Sequence, residues 1–124
     1  MLNGVPVVKV GPVHILLIED MQLVARMTSR LLRRRGYAVD VAATGADALL
    51  AANANAYSVV LCDVGLPDVD GLELATQIGG LQDCPVVIMS GYSVRQGHER
   101  WLQKPFDVEE LYSVLDEALA ATLA

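Results

Sequence analysis

Short apolar runs alternate along this chain with longer amphipathic stretches, and this alternation restricts the possible fold more than any other feature. Three of the runs are strong: HILLI at His14–Ile18, SVVLC at residues 58–62 and PVVIM at residues 85–89. Continuous apolar runs of this length are typical of strands that are buried on both faces of a parallel sheet. Ala38–Ala42 and Trp101–Gln103 are two further candidates, so the sequence predicts five strands.

The stretches between the runs show helical periodicity and recognisable end signals. Helices are predicted over residues 21–35, 46–54 and 72–78, and from Asp107 towards the end of the chain. Gly36 and the glycine pair at residues 79–80 are expected to end the first and third helices. Thr44 can cap the second helix, and Asp107 with Glu110 can form a capping box for the last.

Two of these helices carry apolar stripes that should face a core. The stripes are Val24, Met27 and Leu31 with the neighbouring Leu23 and Leu32 in the first helix, and Val108, Leu111, Leu115 and Leu119 in the last. Strands that alternate with such helices predict an α/β domain, a doubly wound five-stranded parallel sheet covered by helices on both faces. The domain should span residues 14–124. Residues 1–13 should be an N-terminal extension or linker, with VPVVKV as a candidate extra strand.

The composition excludes several classes of protein. The chain is 53% hydrophobic, which argues against disorder, and its formal net charge of −6 argues against direct nucleic-acid binding. Five clustered arginines are interpreted as the solvated face and C-terminal end of the first helix: Arg26, Arg30, Arg33, Arg34 and Arg35. No apolar run is long enough to span a membrane and the N-terminus makes a poor signal peptide, so we expect no membrane association and a cytoplasmic location.

Polar and charged residues follow four of the predicted strands. They are, in strand order, Glu19 and Asp20, then Asp63, then Ser90 and Gly91, and finally Lys104. Because ligand sites in such sheets lie beyond the carboxyl ends of the strands, we expect these groups to share one site. Three clustered carboxylates need a cation, and oxygen ligands suit Mg²⁺. A carboxylate can also act as a nucleophile and form an aspartyl phosphate, with Lys104 and Ser90 as partners of the phosphoryl oxygens.

Four short motifs, LLIED, LCDVGLPDVDG, MSGY and LQKPF, resemble in their order the four signatures of bacterial response-regulator receiver domains. The resemblance covers nearly the whole chain from His14 onward. It implies a flavodoxin-like sheet in the order 2-1-3-4-5 and a phosphoacceptor, Asp63, which takes a phosphoryl group from a histidine kinase or a histidine phosphotransfer protein.

The resemblance also assigns roles to the residues around Asp63. Asp20, Asp63 and the backbone carbonyl of Gly65 would bind Mg²⁺, with Glu19 holding metal-bound water. Ser90, Gly91 and Lys104 would bind the phosphoryl group, Ser90 and Trp101 would be switch residues, and a cis bond would join Lys104 to Pro105.

The chain departs from the family pattern in several places. Glu19 stands where aspartate is commoner, Gly65 has no side chain, and Trp101 stands where the family often has tyrosine or phenylalanine. The segment between the third and fourth motifs is about eight residues shorter than the family norm, or about two helical turns. Residues 93–99 contain a glycine and little apolar surface, so the family's fourth helix should be short or missing. We therefore expect a monomer that does not dimerise through the family's usual face.

Other functions compete with this interpretation. A haloacid-dehalogenase-like phosphohydrolase also uses a strand-end aspartate and Mg²⁺, but it needs a second acid two residues later, where this chain has Gly65. A pseudo-receiver that serves only for docking would not need intact acceptor, metal and lysine positions. We interpret the chain as a regulatory domain rather than an enzyme, either a stand-alone regulator or the receiver end of a hybrid histidine kinase. His98 is interpreted as a surface residue, His14 as structural, and Asp68 and Asp70 as turn and cap residues.

Overall fold

The strands and helices follow the alternation of apolar runs and amphipathic stretches in the sequence. The structure, a computed structural model, describes residues 12–91 and 100–121. Within those residues the chain forms five strands and four helices. In chain order they are β1 (His14–Ile18), α1 (Gln22–Arg34), β2 (Ala38–Ala42), α2 (Gly45–Ala54), β3 (Val59–Asp63), α3 (Gly71–Leu81), β4 (Val86–Ser90), β5 (Trp101–Gln103) and α4 (Val108–Ala121).

The strands form one parallel sheet in the order β2-β1-β3-β4-β5, which confirms the predicted doubly wound, flavodoxin-like topology. β1 lies between β2 and β3, with Ile18 opposite both Ala42 and Cys62. The order places the carboxyl ends of β1 and β3 side by side in the middle of the sheet. Ligand sites of open α/β sheets form at such a position.

Alternate residues of the strands supply two cores, one on each face of the sheet. Leu17 and Leu61 belong to the core under α1 and α4, whereas Leu16 and Val60 belong to the core under α2 and α3. All four side chains are fully buried. Both faces of the strands are therefore covered, which explains why the runs in the sequence are continuously apolar.

Two strands begin and end one residue later than predicted. β3 is Val59–Asp63 and β4 is Val86–Ser90, so Asp63 and Ser90 are the last residues of strands rather than the first residues of loops. Asp63 pairs with Met89 in the ladder. The sheet therefore fixes the backbone at the predicted phosphoacceptor.

The predicted end of α3 at residues 79–80 is wrong. The helix continues through both glycines to Leu81, and the N–H of Gln82 donates to the Ile78 carbonyl at 2.8 Å. Among the described glycines, only Gly36 has the positive φ (82°) that commonly ends helices. The predicted stop of α1 at Gly36 is therefore confirmed, whereas Gly79 and Gly80 remain helical.

The predicted helix caps are confirmed. The Asp47 N–H donates to Thr44 Oγ1 at 3.1 Å at the start of α2. At the start of α4, the Glu110 N–H donates to Asp107 Oδ1 at 2.8 Å and the Asp107 N–H donates to Glu110 Oε1 at 3.4 Å. Asp70 accepts from the Leu72 N–H at 2.9 Å and caps α3. These bonds satisfy amides that the first turn of a helix leaves without a partner.

The predicted apolar stripe of α1 is wrong for two residues. Leu23 and Met27 are 67% and 59% exposed. The buried face of α1 consists of three small side chains and one leucine: Ala25, Thr28, Ser29 and Leu32. The Ser29 hydroxyl donates to the Arg26 carbonyl at 3.1 Å, so its burial does not leave it without a hydrogen bond.

The stripe of α4 is partly confirmed. Leu111 and Leu115 are fully buried, and Val114 and Ala118 are buried beside them. Val108, which was predicted to face the core, is 39% exposed because it opens the helix at the surface. The five arginines at α1 are exposed, as predicted.

His14 has a structural role, as the sequence suggested. Its Nε2 lies 2.9 Å from Asp40 Oδ2, and its ring packs against Tyr57 with centroids 4.6 Å apart. The Tyr57 hydroxyl donates to the same Asp40 oxygen at 2.8 Å. These contacts lie at the start of β1, the end of the strand remote from the carboxyl edge.

Three predictions fall outside the described residues: the extra strand in VPVVKV, the short or missing helix over residues 93–99, and the surface position of His98. Ten residues, 91–100, connect β4 to β5. Within the described ranges, none of the helices combines the length and the apolar character needed to cross a membrane.

The side chain of Gln82 joins three backbone groups at the connection between α2 and β3. Its Oε1 accepts from the Tyr57 N–H at 3.0 Å, and its Nε2 donates to the carbonyls of Ala52 at 2.7 Å and Asn55 at 2.6 Å. Gln82 is only 8% exposed. Without this amide, the groups it bonds would lack partners in a region largely closed to water.

We predict that Gln82→Met lowers the free energy of unfolding by about 2–3 kcal/mol, because a side chain of similar length removes the partners of these backbone groups. Urea denaturation followed by circular dichroism measures the change. Gln77→Met, at an exposed position of α3, the helix that precedes Gln82, is the matched control and should change the free energy by less than about 0.5 kcal/mol. Equal effects of the two substitutions would contradict the prediction.

Candidate metal and phosphoacceptor site

Three carboxylates meet at the carboxyl edge of the sheet. Glu19 and Asp20 directly follow β1, and Asp63 is the last residue of β3. The parallel register places Ile18 opposite Cys62, so the residues that follow them are neighbours. One carboxylate oxygen from each acid lies within 4.8 Å of the others. Glu19 and Asp63 are buried and Asp20 is exposed, so the cluster is open to solvent on one side.

Lys104 brings a positive charge to this cluster from the end of β5. Its backbone N–H donates to the Ser90 carbonyl at 2.7 Å, which extends the pairing of β5 with β4. Its Nζ forms an ion pair with Glu19 Oε1 and lies 3.4 Å from Asp63 Oδ2. The bond from Lys104 to Pro105 is cis, as the resemblance implied. A single ammonium group is thus shared between two buried carboxylates.

The cluster carries more negative charge than Lys104 can balance. Burial raises the pKa of Glu19 from 4.5 to about 7; the hydrogen bond from Lys104 opposes this rise, and the neighbouring Asp63 adds to it. A cation at this place would offset the excess negative charge of the cluster. The side-chain donors are all carboxylate oxygens, which suit a hard ion such as Mg²⁺ better than a soft one. The residues present therefore fit Mg²⁺.

Gly65, Ser90 and Gly91 lie at the same edge of the sheet. Gly65 is exposed two residues after Asp63, and its N–H donates to Asp63 Oδ1 at 3.4 Å. Ser90 is 2% exposed at the end of β4, and Gly91 follows it at the surface. These positions are compatible with the predicted metal-binding carbonyl and phosphoryl-binding groups.

Trp101 is the predicted site residue that lies at the end of β5 remote from the carboxyl edge of the sheet. It is the first residue of β5, where it pairs with Ile88, three residues before Lys104. Its side chain is half-buried and packs against the core under α2 and α3. The structure thus brings the carboxylates and Lys104 into contact and leaves Trp101 at the opposite end of β5.

A close approach at Gly71 was not anticipated from the sequence. A Cβ atom on this glycine would collide with the carbonyl oxygen of Asp63 and the Cα of Val64. The Gly71 N–H also donates to the Val64 carbonyl at 3.1 Å. The start of α3 therefore lies directly against the backbone of Asp63, and only glycine permits this distance. The Asp–Gly pair at residues 70–71 was the one available signal.

Cys62 directly precedes Asp63 and could in principle compete with it as a nucleophile. The thiol is fully buried in the core under α2 and α3. Burial raises the pKa of Cys62 to about 12. The thiol is consequently protonated at neutral pH and does not compete.

The doubly wound parallel sheet, with an acidic, lysine-bearing cluster at its carboxyl edge, places the chain in the class of flavodoxin-like α/β domains. Residues 15–116 match the family model of the response regulator receiver domain. The match covers most of the chain, and the chain belongs to this family.

Relatives and solved structures agree with the family. The chain is 35% identical over 105 residues to the response regulator ArlR of Staphylococcus saprophyticus, a match that covers 78% of this chain and 48% of that protein. The chain therefore spans about half the length of the curated relatives it matches. The receiver domain of the hybrid histidine kinase CckA is 37% identical with a TM-score of 0.77, covering 86% of this chain and 98% of that one. A CheY-like receiver domain protein of Methanospirillum hungatei shares the fold, with a TM-score of 0.84 at 24% identity and coverage of 90% and 96%.

We predict that, without divalent cations, the protein loses stability as the pH rises from about 5 to 8. The pKa of Glu19 in the folded state, about 7, lies above its ordinary value of 4.5, so the folded state binds more protons than the unfolded state in this interval. The stability gained from the protonated carboxyl is complete below the unfolded-state pKa and is lost as the pH rises through the folded-state value.

Urea unfolding at several pH values in a chelating buffer measures this slope. Glu19→Gln should remove most of this slope, because the amide does not titrate. The slope corresponds to a change of about 2–3 kcal/mol in the free energy of unfolding between about pH 5 and pH 8. Glu117→Gln, at an exposed position of α4, is the control and should keep the slope. An undiminished slope in Glu19→Gln would assign the titration to another group.

Proposed function

We propose that this domain accepts a phosphoryl group on Asp63 from the phosphohistidine of a histidine kinase or a histidine phosphotransfer protein, with Mg²⁺ held by the acidic cluster. The surroundings of Asp63 carry the proposal. Its buried carboxylate ends a central strand, with Lys104 Nζ 3.4 Å away and oxygens of Glu19 and Asp20 within 4.8 Å. Membership of the receiver family supports the same reaction.

In the proposed step, a carboxylate oxygen of Asp63 forms a bond to phosphorus while the bond between phosphorus and the donor histidine nitrogen breaks. The departing imidazole nitrogen takes up a proton, and the product on this chain is an aspartyl phosphate. In this step a carboxylate acts directly as the nucleophile. Positioning and charge neutralisation therefore make the main contribution to such a transfer.

The proposed ligands of Mg²⁺ are Asp20, Asp63 and the backbone carbonyl of Gly65, with Glu19 holding a metal-bound water. When bound, the ion would neutralise charge on the phosphoryl oxygens. Lys104 would move from its contacts with Glu19 and Asp63 to a phosphoryl oxygen, since its Nζ already lies beside the acceptor carboxylate.

Ser90 and Gly91 are the proposed hydrogen-bond donors to the phosphoryl group, and Ser90 and Trp101 the proposed switch residues. Lys104 connects Ser90 to Trp101. Its N–H donates to the Ser90 carbonyl at 2.7 Å, and it lies three residues from Trp101 along the same strand. A movement of Lys104 towards a phosphoryl group would therefore change the positions of both Ser90 and Trp101.

We propose a regulatory role for a monomeric, cytoplasmic domain whose partners are proteins rather than nucleic acids or membranes. The alternative phosphohydrolase function is not favoured, because the family match is to receiver domains and Gly65 replaces the second acid. ArlR is a response regulator and CckA a hybrid histidine kinase. Both the stand-alone and the hybrid-kinase arrangement are therefore compatible with this chain.

We predict that Asp63→Asn is not phosphorylated by acetyl phosphate or by a phosphorylated histidine kinase, because the amide lacks the nucleophilic oxygen. Incorporation of radioactive phosphate, followed by a test of its stability in acid, measures the reaction. Asp83→Asn, at an exposed position before β4, is the matched control and should be labelled like the wild type. Persistence of label in Asp63→Asn would reject Asp63 as the acceptor.

We predict that Mg²⁺ binds the unphosphorylated protein weakly and that Asp20→Ala abolishes the binding, because the variant loses one direct ligand and the charge that attracts the ion. Isothermal titration calorimetry measures both affinities. Asp83→Ala changes the net charge equally at a distant exposed position and should bind Mg²⁺ like the wild type. Equal affinities of wild type and Asp20→Ala would place the metal elsewhere.

A further inference from the structure

Asp68 connects the loop that follows Asp63 to the start of α2, a helix that packs on the same face of the sheet as α3. Its Oδ1 accepts from the Gly45 N–H at 2.8 Å, and its Oδ2 accepts from the Ala46 N–H at 3.1 Å. These are the first two residues of α2, and they lie 23 and 22 residues from Asp68 along the chain. The two bonds lower the pKa of the Asp68 carboxyl, so it is ionised at neutral pH. A residue that looked like a local turn former in the sequence therefore caps a distant helix.

The steric fit at Gly45 indicates the same contact independently. A Cβ on this glycine would lie 2.5 Å from Val69 Cγ2 and 3.3 Å from Asp68 Oδ1. Gly45 is buried, and its φ is not in the left-handed region, so close approach rather than backbone conformation accounts for the glycine. The tip of the loop, Asp68 and Val69, rests directly on the N-terminus of α2.

The base of the same loop is closed by backbone contacts. Gly65 and Asp70 form an isolated antiparallel bridge, and the Gly71 N–H donates to the Val64 carbonyl at 3.1 Å. Gly65 is itself part of this closed base, three residues before the anchored tip at Asp68. It has no side chain, so only backbone contacts hold it, and no atom lies within 4 Å of where its Cβ would be.

We propose that Asp68 is a positioning residue for the metal site: by anchoring the loop tip to α2, it fixes the carbonyl of Gly65 where Mg²⁺ is bound. The inference rests on the proposed function, because it concerns the metal ligand named there. Asp68 itself does not touch the ion or the phosphoryl group. Residues that orient metal ligands from outside the coordination sphere affect affinity by about tenfold or more when they are removed.

The test compares two ways of weakening the start of α2. Asp68→Ala removes both bonds between loop and helix, whereas Thr44→Ala removes the helix's own cap to the Asp47 N–H and leaves the loop contact intact. Both variants lose capping bonds of the same helix, so urea unfolding should show a loss of stability in each. We expect only Asp68→Ala to raise the Mg²⁺ dissociation constant measured by calorimetry, by about tenfold.

A further measurement separates positioning from general damage. The rate of phosphorylation by acetyl phosphate should fall in Asp68→Ala at low Mg²⁺ and recover at saturating Mg²⁺, because every ligand is still present. Asp68→Asn keeps the shape and one acceptor oxygen, so its dissociation constant should lie between those of wild type and Asp68→Ala. Gly45→Ala displaces the loop tip without removing the carboxylate and should also weaken Mg²⁺ binding.

The outcomes distinguish this inference from the proposed function. If wild type binds Mg²⁺ and is phosphorylated but Asp68→Ala binds Mg²⁺ equally well, Asp68 has no positioning role and the proposed function stands. Equal weakening in Thr44→Ala and Asp68→Ala would attribute the effect to the stability of α2 and overturn the inference. A wild-type protein that neither binds Mg²⁺ nor accepts phosphate would reject both.

Discussion

Repulsion among three carboxylates at one edge of the sheet is the constraint on which the rest of this structure depends. Acids whose oxygens lie within 4.8 Å of one another, two of them buried, oppose folding unless positive charge is supplied. Lys104 supplies part of it, and it must reach over the end of β4, which separates β5 from β3 by two strand spacings of about 5 Å each. The strand order, the length of the Lys104 side chain and the burial of Glu19 therefore depend on one another.

Much of this arrangement could be predicted from the sequence, because it depends on patterns that are local. The bounds of β1, β2 and β5 follow from short apolar runs, and the caps at Thr44 and Asp107 follow from residue type and spacing. The meeting of Glu19, Asp20 and Asp63 follows from one rule, that parallel strands end at the same edge. The ion pair of Lys104 with Glu19 was not anticipated, because the resemblance assigns the lysine to a phosphoryl group.

The features that could not be predicted depend on contacts between distant segments. The inner face of α1 contains Ala25, Thr28 and Ser29, whose weak hydropathy gives no signal, while the larger Leu23 and Met27 are exposed. Position 71 requires glycine because the Asp63 backbone lies directly beside it, and no local sequence pattern reveals that contact. The continuation of α3 through Gly79 and Gly80 likewise reflects the bonds that Gln82 makes beyond the helix end. Hydropathy and turn preference are read from residues that are adjacent in the chain. The features named here depend instead on residues that are distant in the chain but adjacent in the fold.

Helix α2 is fastened at both of its ends to residues that flank α3. Asp68, before α3, bonds the amides that open α2, and Gln82, after α3, bonds the carbonyls of Ala52 and Asn55 at its close. Two helices joined in this way are expected to open as one cooperative unit. Their amide protons would then exchange with solvent deuterium through a shared opening reaction, with protection that rises and falls together. A disturbance beside Asp63 would accordingly reach the outer surface of α2 within the same layer, without crossing the sheet.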